Sequence, residues 1–382
     1  MLSAILNQRR ILVSAGPGGV GKTTVAAALG ALAARAGRRT LIVTIDPAPR
    51  LADALGLPRL GSQPAALAPE ACGALGVPAG ALFAARLDTE AAFRRLVELQ
   101  VPDLQMRERI FTNPIYRQMT TTLTGSQEYA ATLALHEFHT SGAFDLVVLD
   151  TPPTANALDF LEAPQRIADA VASPVVSWFA RPPDGAGRFS LQRLRSGGAL
   201  VLKRLGRLVG SHFLDDLGAF LVDFRGVLGG FLERARAIET LLRKPEVGFV
   251  LVMAPELPAV DEALFFVDRL RGAGLRLDAF VANRVLPAPG LLDPDDVRAG
   301  VAALPALRGW SEEARAAATR ELGAAAAYLG RAARSQRRQL GRLHERAPGV
   351  PIVEIPLLAA EASSPAALRA IGDRLAGGPA AR

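Results

Sequence analysis

The chain has 382 residues, half of them hydrophobic and 21% charged, a composition that builds a sizeable core and excludes bulk disorder. Its net charge of +7 suits nucleic acid, anionic lipid or ATP, and equally a solvated surface, because its arginines are scattered among Asp and Glu and form no long block. The lone Cys72 excludes an internal disulfide framework and a paired CxxC metal site, and no apolar stretch reaches the roughly 18 residues that a bilayer requires, so a cytoplasmic protein is expected.

In chain order, Arg9-Arg10 and the apolar residues after them resemble the start of a signal peptide only briefly, because a glycine-rich loop interrupts the run. Residues 11 to 14 are predicted to form a strand buried on both faces of a parallel sheet. Gly16-Pro-Gly-Gly-Val-Gly-Lys-Thr-Thr24 follows, and then an Ala-rich helix from Val25 to Ala36 with Gly37 as its stop. Residues 40 to 45 read as a second strand, leading to Asp46-Pro-Ala-Pro-Arg50 and Leu51-Ala-Asp53. Gly56 to Gly80 reads as loop, 82 to 87 as a strand and 89 to 99 as a helix. Residues 102 to 140 are mainly helical in pattern, and 145 to 149 form a buried strand that delivers Asp150-Thr-Pro-Pro-Thr154. A helical insertion is expected over 165 to 243. Strands return at 247 to 253, at 279 to 282 before Asn283-Arg284, and at 351 to 355 before Pro356-Leu357, with a long Ala/Arg/Glu helix over 311 to 345.

Strands alternating with helices argue an α/β fold with a doubly wound, mainly parallel sheet. Ligands in such sheets sit beyond the carboxyl ends of the strands, where the informative residues here fall. The loop fits the phosphate-cradling pattern G-x-x-x-x-G-K-[ST] at Gly16, Gly21, Lys22 and Thr23. Gly16, Gly18, Gly19, Val20 and Gly21 would offer main-chain N-H groups to an anion, helped by the helix N-terminus that carries Thr24. Lys22 would neutralise the β- and γ-phosphates, and Thr23 and Asp150 would hold Mg2+, with Asp46 beside them. Either Asp46 or Asp53 would serve to activate water. GTP-specific loops carry Asn-Lys-x-Asp, and Asn283-Arg-Val-Leu286 lacks its Lys and Asp, so ATP is favoured.

These residues together, with Gly125-Ser-Gln-Glu-Tyr129, Ala157-Leu-Asp-Phe-Leu161 and Ile355-Pro-Leu-Leu-Ala359, resemble the ArsA-like ATPases over about Arg10 to Arg374. That family includes the arsenite-pump ATPase and the targeting ATPase for tail-anchored membrane proteins, within the MinD/ParA-type group. The resemblance implies a P-loop NTPase of the deviant Walker A, SIMIBI type: one domain over 1 to 382, with a helical subdomain from about 100 to 140 and 165 to 243. It implies that Asp46 to Asp53 is switch I, with Asp53 orienting water, and that Asp150 to Thr154 is switch II. Asn283, Arg284, Pro356 and Leu357 match adenine-contacting positions. It further implies a homodimer, or a heterodimer with a paralogue, whose nucleotide state moves the helical subdomain to handle a hydrophobic protein client or a membrane protein at the inner membrane.

Three positions depart from the family. Pro17 stands where the signature lysine, which reaches the partner's phosphates, belongs, so slow hydrolysis is expected. Pro49 stands where eukaryotic targeting members have His. The lone Cys72 provides neither a multi-cysteine arsenite site nor a dimer-bridging structural zinc.

Other features carry less. His136 and His139 share a helical face without evident further metal ligands, so a capping or surface role is expected. The apolar stripe from Leu214 to Leu232 is subdomain core or a groove for hydrophobic clients, and glycines at 206, 210, 218, 226, 229 and 230 weaken that helical region. The Arg-rich helix lacks interleaved aromatics, so no nucleic-acid partner is expected.

Overall fold

In a computed structural model the described residues are 2–121, 126–152, 169, 211–287, 294–305, 309–358 and 364–377. Pro153, Thr154, Gly125, the 157–161 motif, Ala359 and most of the first half of the expected insertion lie outside them. By contacts between backbones the chain divides into two compact units, one of Met1–Arg86, Phe138–Leu158 and Arg243–Arg382, the other of Leu87–Glu137 and Asp159–Leu242.

The first unit is an eight-stranded sheet. Its strands are β1 (Ile11–Ala15), β2 (Thr40–Thr44), β3 (Ala65–Ala66), β4 (Leu82–Arg86), β5 (Leu146–Asp150), β6 (Val247–Met253), β7 (Leu277–Val285) and β8 (Ile352–Pro356). Their spatial order is β3-β4-β2-β5-β1-β6-β7-β8, parallel throughout except for the two-residue β3. β1, β2, β5 and β6 are buried at every residue, which is why each is mainly apolar with no alternation of polar and apolar positions. This is the α/β P-loop NTPase fold that the sequence predicts.

After α1 (Leu2–Gln8), helix α2 (Lys22–Arg35) begins three residues earlier than the sequence pattern suggests, because Gly21 adopts a left-handed conformation and admits Lys22 to the first turn. Its alanines let it lie close on the sheet: a Cβ on Gly30 would stand 2.5 Å from Ile42. The helix Pro365–Leu375 packs against it, with Gly372 close to the Ala28 carbonyl. The region read as loop between Gly56 and Gly80 contains β3 and a helix, Pro69–Leu75, that starts on its proline and ends on left-handed Gly76. Its Pro and Gly mark helix ends there, not irregular chain.

The second unit is helical, with Thr89–Gln100, Leu104–Thr112, Pro114–Thr121, most of Ser126–Thr140, and the 32-residue Ser211–Leu242. Asp88 and Asp103 cap the first two of these through backbone N-H groups at 2.8 to 3.4 Å. Phe220, Phe224 and Val227 are buried at helical spacing, so these members of the apolar stripe are core of this unit, and Ala235 and Ile238 continue the buried face beyond it. Phe93 packs with Tyr129 and Phe111 with Tyr116, and Arg109 grips Asp223 through two hydrogen bonds of 2.9 Å. The Ser211–Leu242 helix runs unbroken through Gly218, Gly226, Gly229 and Gly230.

Candidate functional site

Everything in the site belongs to the sheet-bearing unit. The loop of residues 16 to 21 leaves β1 and enters α2 through three positive φ angles, Gly16 at 152°, Gly19 at 74° and Gly21 at 93°. Two of those positions also have no room for a side chain. A Cβ on Gly16 would lie 1.9 Å from the Val252 carbonyl oxygen, and one on Gly21 2.5 Å from Nδ2 of Asn283. Gly18 and Gly19 are exposed at the loop's outer edge, whereas Val20 is buried and anchors it.

Lys22 is 8% exposed, and its Nζ donates to the Pro17 carbonyl across the loop at 2.7 Å. Burial pulls its pKa down, opposed by the charges of Asp150 and Glu262 and reinforced by Arg50. Thr23, in the first turn of α2, donates from Oγ1 to Oδ2 of Asp150 at 2.8 Å. Thr44, at the end of β2, donates to the same oxygen at 2.9 Å. Asp150 is the last residue of β5 and pairs in register with both Ser14 and Thr44. Oδ1 of Asp150 and Oγ of Ser14 are buried with no hydrogen-bond partner. Burial, offset in part by the Thr23 and Thr44 hydroxyls, pushes the Asp150 carboxyl up to about 6. A carboxylate with one orphaned oxygen beside two hydroxyl groups is a set of hard oxygen donors, and it fits Mg2+.

Asp46 follows two residues beyond Thr44. Its N-H donates to Thr44 Oγ1 at 3.2 Å, its Oδ1 accepts from Ala48 N-H at 2.9 Å, and its Oδ2 accepts from Arg50 at 3.1 Å. Asp53 is exposed in the first turn of α3 (Arg50–Leu55) and is absent from the charges that act on Lys22. Thus Lys22, Thr23, Asp46 and Asp150 are brought together, while Asp53 is exposed on α3.

Asn283 and Arg284 lie within β7, not beyond it as the sequence suggests. The strand continues because a register shift against β8 lets Arg284 adopt a φ of 60° without ending the pairing. The Asn283 side chain donates to the Val20 carbonyl at 2.8 Å and accepts from Arg284 N-H at 2.9 Å, so it braces the loop from the neighbouring strand end. Pro356 is likewise the last residue of β8, and Leu357 N-H donates to the Val285 carbonyl at 2.9 Å, which sets these two strand ends side by side.

Sequence reasoning passes over four participants. Thr44 ends β2, and Ser14 is the polar residue within β1. Glu262, in the helix Leu257–Gly272 after β6, has its carboxyl raised by burial and lowered by Lys22. Gln336, in the long helix Glu312–Arg346, accepts from Leu286 N-H and donates to the Arg284 carbonyl, fixing the unusual backbone there. Its signal was a polar residue in the buried Gly323-Ala326-Gly330-Ala333-Gln336-Leu340-Leu343 stripe. His139 carries its Nε2 3.1 Å from Glu246.

A parallel sheet whose first strand ends in a glycine cradle, with a buried lysine and an Asp at the neighbouring strand tip, defines a P-loop nucleoside-triphosphatase fold. Residues 9–175 match the profile of the family described as anion-transporting ATPase. An uncharacterized protein of Streptomyces coelicolor is 32% identical over 73% of this chain and 63% of its own length. A protein of Aquifex aeolicus, provisionally named arsenical pump-driving ATPase 1, is 24% identical over 73% of this chain and 64% of its own. A Paramecium tetraurelia protein named as an ASNA1 ATPase homologue is 30% identical over 39% and 42%. The chain therefore spans less than two thirds of these relatives. The matched region and these relatives support an ArsA-like family. Among the described residues no helix is long and apolar enough to cross a membrane.

Proposed function

We propose that the chain binds ATP with Mg2+ at the loop of residues 16 to 24 and hydrolyses it to ADP and phosphate. The observation that carries this reading is the Thr23–Asp150–Thr44 cluster, with its orphaned carboxylate oxygen, beside the buried ammonium of Lys22. Backbone N-H groups of Gly16, Gly18, Gly19, Val20 and Gly21 hold the phosphates, Thr24 extends the helix start, and Lys22 leaves the Pro17 carbonyl for the β- and γ-phosphates. Thr23, Asp46 and Asp150 are the residues that would hold Mg2+, which when bound supplies charge neutralisation at the phosphoryl group. Asp53 orients the attacking water after moving inward with α3. The adjacent ends of β7 and β8 support Asn283, Arg284, Pro356 and Leu357 as the adenine-contacting side.

Hydrolysis is slow because Pro17 offers no cation, and the nucleotide state moves the helical subdomain of about 100 to 140 and 165 to 243, which handles a hydrophobic protein client or membrane partner. The working form is a homodimer or a heterodimer with a paralogue, cytoplasmic or peripheral at the membrane. Titration calorimetry tests the core of this reading: wild-type protein releases heat with Mg-ATP, and Lys22→Ala loses at least about 1.4 kcal/mol, or tenfold in affinity. Retained affinity in Lys22→Ala would refute the loop assignment. A second reading, an energising subunit of an arsenite or anion efflux pump, is favoured by the name of the Aquifex relative. It predicts that arsenite or antimonite stimulates turnover, and a flat dose-response rejects it.

A further inference from the structure

Lys22 is the one cation in the sequence 16 to 24, and a triphosphate with one divalent metal still carries net negative charge after Lys22 has contributed. The structure holds a second cation near the same point. Arg50 is the first residue of α3, its side chain is 70% exposed, and its guanidinium rests 3.1 Å from Oδ2 of Asp46. That carboxylate does not float. Asp46 accepts from Ala48 N-H and donates its own N-H to Thr44 Oγ1, Thr44 donates to Asp150, and Asp150 accepts from Thr23 in the phosphate loop. A chain of hydrogen bonds thus runs from the first turn of α2 to Arg50. Pro47 and Pro49 flank Ala48 in the intervening segment and restrict the backbone that carries Arg50.

The geometry points to Arg50 as a catalytic arginine supplied by the same chain: it rests on Asp46 and exchanges that carboxylate for a γ-phosphate oxygen when ATP is bound. This inference rests on the nucleotide site proposed above and adds to it the group that neutralises charge spreading over the γ-phosphate oxygens as the bond to the β-phosphate lengthens. The exchange is cheap, because an exposed ion pair at this spacing is weak. The gain grows with charge development, because guanidinium presents several donors to phosphate oxygens at once. Arg50 also acts on the charge of Lys22, so its field already reaches the phosphate cradle. ADP lacks the γ-phosphate, so Arg50 stays on Asp46 in that complex.

Full-length wild type, Arg50→Ala and Arg50→Lys are compared in calorimetric titrations with Mg-ATP and Mg-ADP and in steady-state hydrolysis. In Arg50→Ala the preference for ATP over ADP falls at least about fivefold and kcat falls at least about tenfold, while Mg-ADP affinity stays within about twofold of wild type. Arg50→Lys recovers part of the ATP preference, and millimolar guanidinium raises turnover in Arg50→Ala but not in wild type, which a purely structural loss would not do. An unchanged ATP-to-ADP ratio with unchanged kcat overturns the inference alone. A wild type that binds no Mg-ATP overturns the nucleotide site itself and this inference with it.

Discussion

Asp150 carries a consequence that is readable without any nucleotide. Its carboxyl titrates near 6 in the folded chain, against 3.8 ordinarily, because it is buried at the tip of β5. Between those values the native state binds more protons than the unfolded state, so stability falls as pH rises through that window, and the full penalty persists above 6. The shift is worth about 3 kcal/mol at most. Asp150→Asn keeps an oxygen for the Thr23 and Thr44 hydroxyls and removes the charge. In chelator-containing buffer its urea midpoint should match wild type near pH 4 and exceed it at pH 8. Equal midpoints at pH 8 would mean that water or main chain already solvates the charge. The trade is one expected of a metal-binding carboxylate, destabilising until a cation arrives.

At the scale of elements, the sheet is clamped at the end opposite the site. Arg9, just before β1, makes two hydrogen bonds of 2.7 and 2.6 Å to Asp278 in β7 and a third to the Pro245 carbonyl, with both ionic side chains at most 5% exposed. A Cβ on Gly248 would stand 1.7 Å from Asp278, so a glycine is required where β6 passes between them. Asp278→Ala should cost about 3–5 kcal/mol by leaving the Arg9 charge buried and unpaired, whereas Arg9→Leu with Asp278→Leu should recover much of it. Chemical denaturation of the two variants checks this, and a cost under about 1 kcal/mol for Asp278→Ala would mean that Arg9 finds water. In the helical unit, Gly229 has open space at its Cβ position, whereas a Cβ on Gly230 would stand 2.3 Å from the Gln100 amide. Gly229→Ala should therefore stabilise the Ser211–Leu242 helix by about 0.5–1 kcal/mol, with Gly230→Ala doing less or reversing the sign. The same contrasts explain what the sequence made legible. β1, β2, β5 and β6 are readable because burial on both faces demands mainly apolar residues without alternation. The Pro69–Leu75 helix was not, since a seven-residue helix bounded by Pro and Gly has the composition of a loop. In the site, Gly16 to Thr23 and Asp150 declare themselves by spacing. Thr44, Gln336 and Glu262 do not, because each works through a neighbour brought to it by tertiary packing.

For the whole molecule the open physical question is whether occupancy of the phosphate loop is felt in the helical unit. The chain leaves the sheet-bearing unit after β4 and returns at Phe138, shortly before the strand that ends in Asp150, and it leaves and returns again around the Ser211–Leu242 helix before β6. Both returns therefore feed strands that flank β1, the strand that carries the loop. A ligand that binds only the native state stabilises it by RT ln(1 + [L]/Kd), but that energy can be confined to the segments it orders. Hydrogen exchange distinguishes the cases. Saturating Mg-ATP should slow exchange in residues 16 to 24, 44 to 53 and 283 to 286 by about tenfold or more, as direct contact requires. If nucleotide state moves the helical subdomain, exchange within Ser211–Leu242 should also differ between Mg-ATP and Mg-ADP, and the difference should vanish in Lys22→Ala. Protection confined to the sheet-bearing unit would leave an ATP-binding domain with no mechanical output through those helices, and a client would then have to be sought on the sheet-bearing unit's own surface.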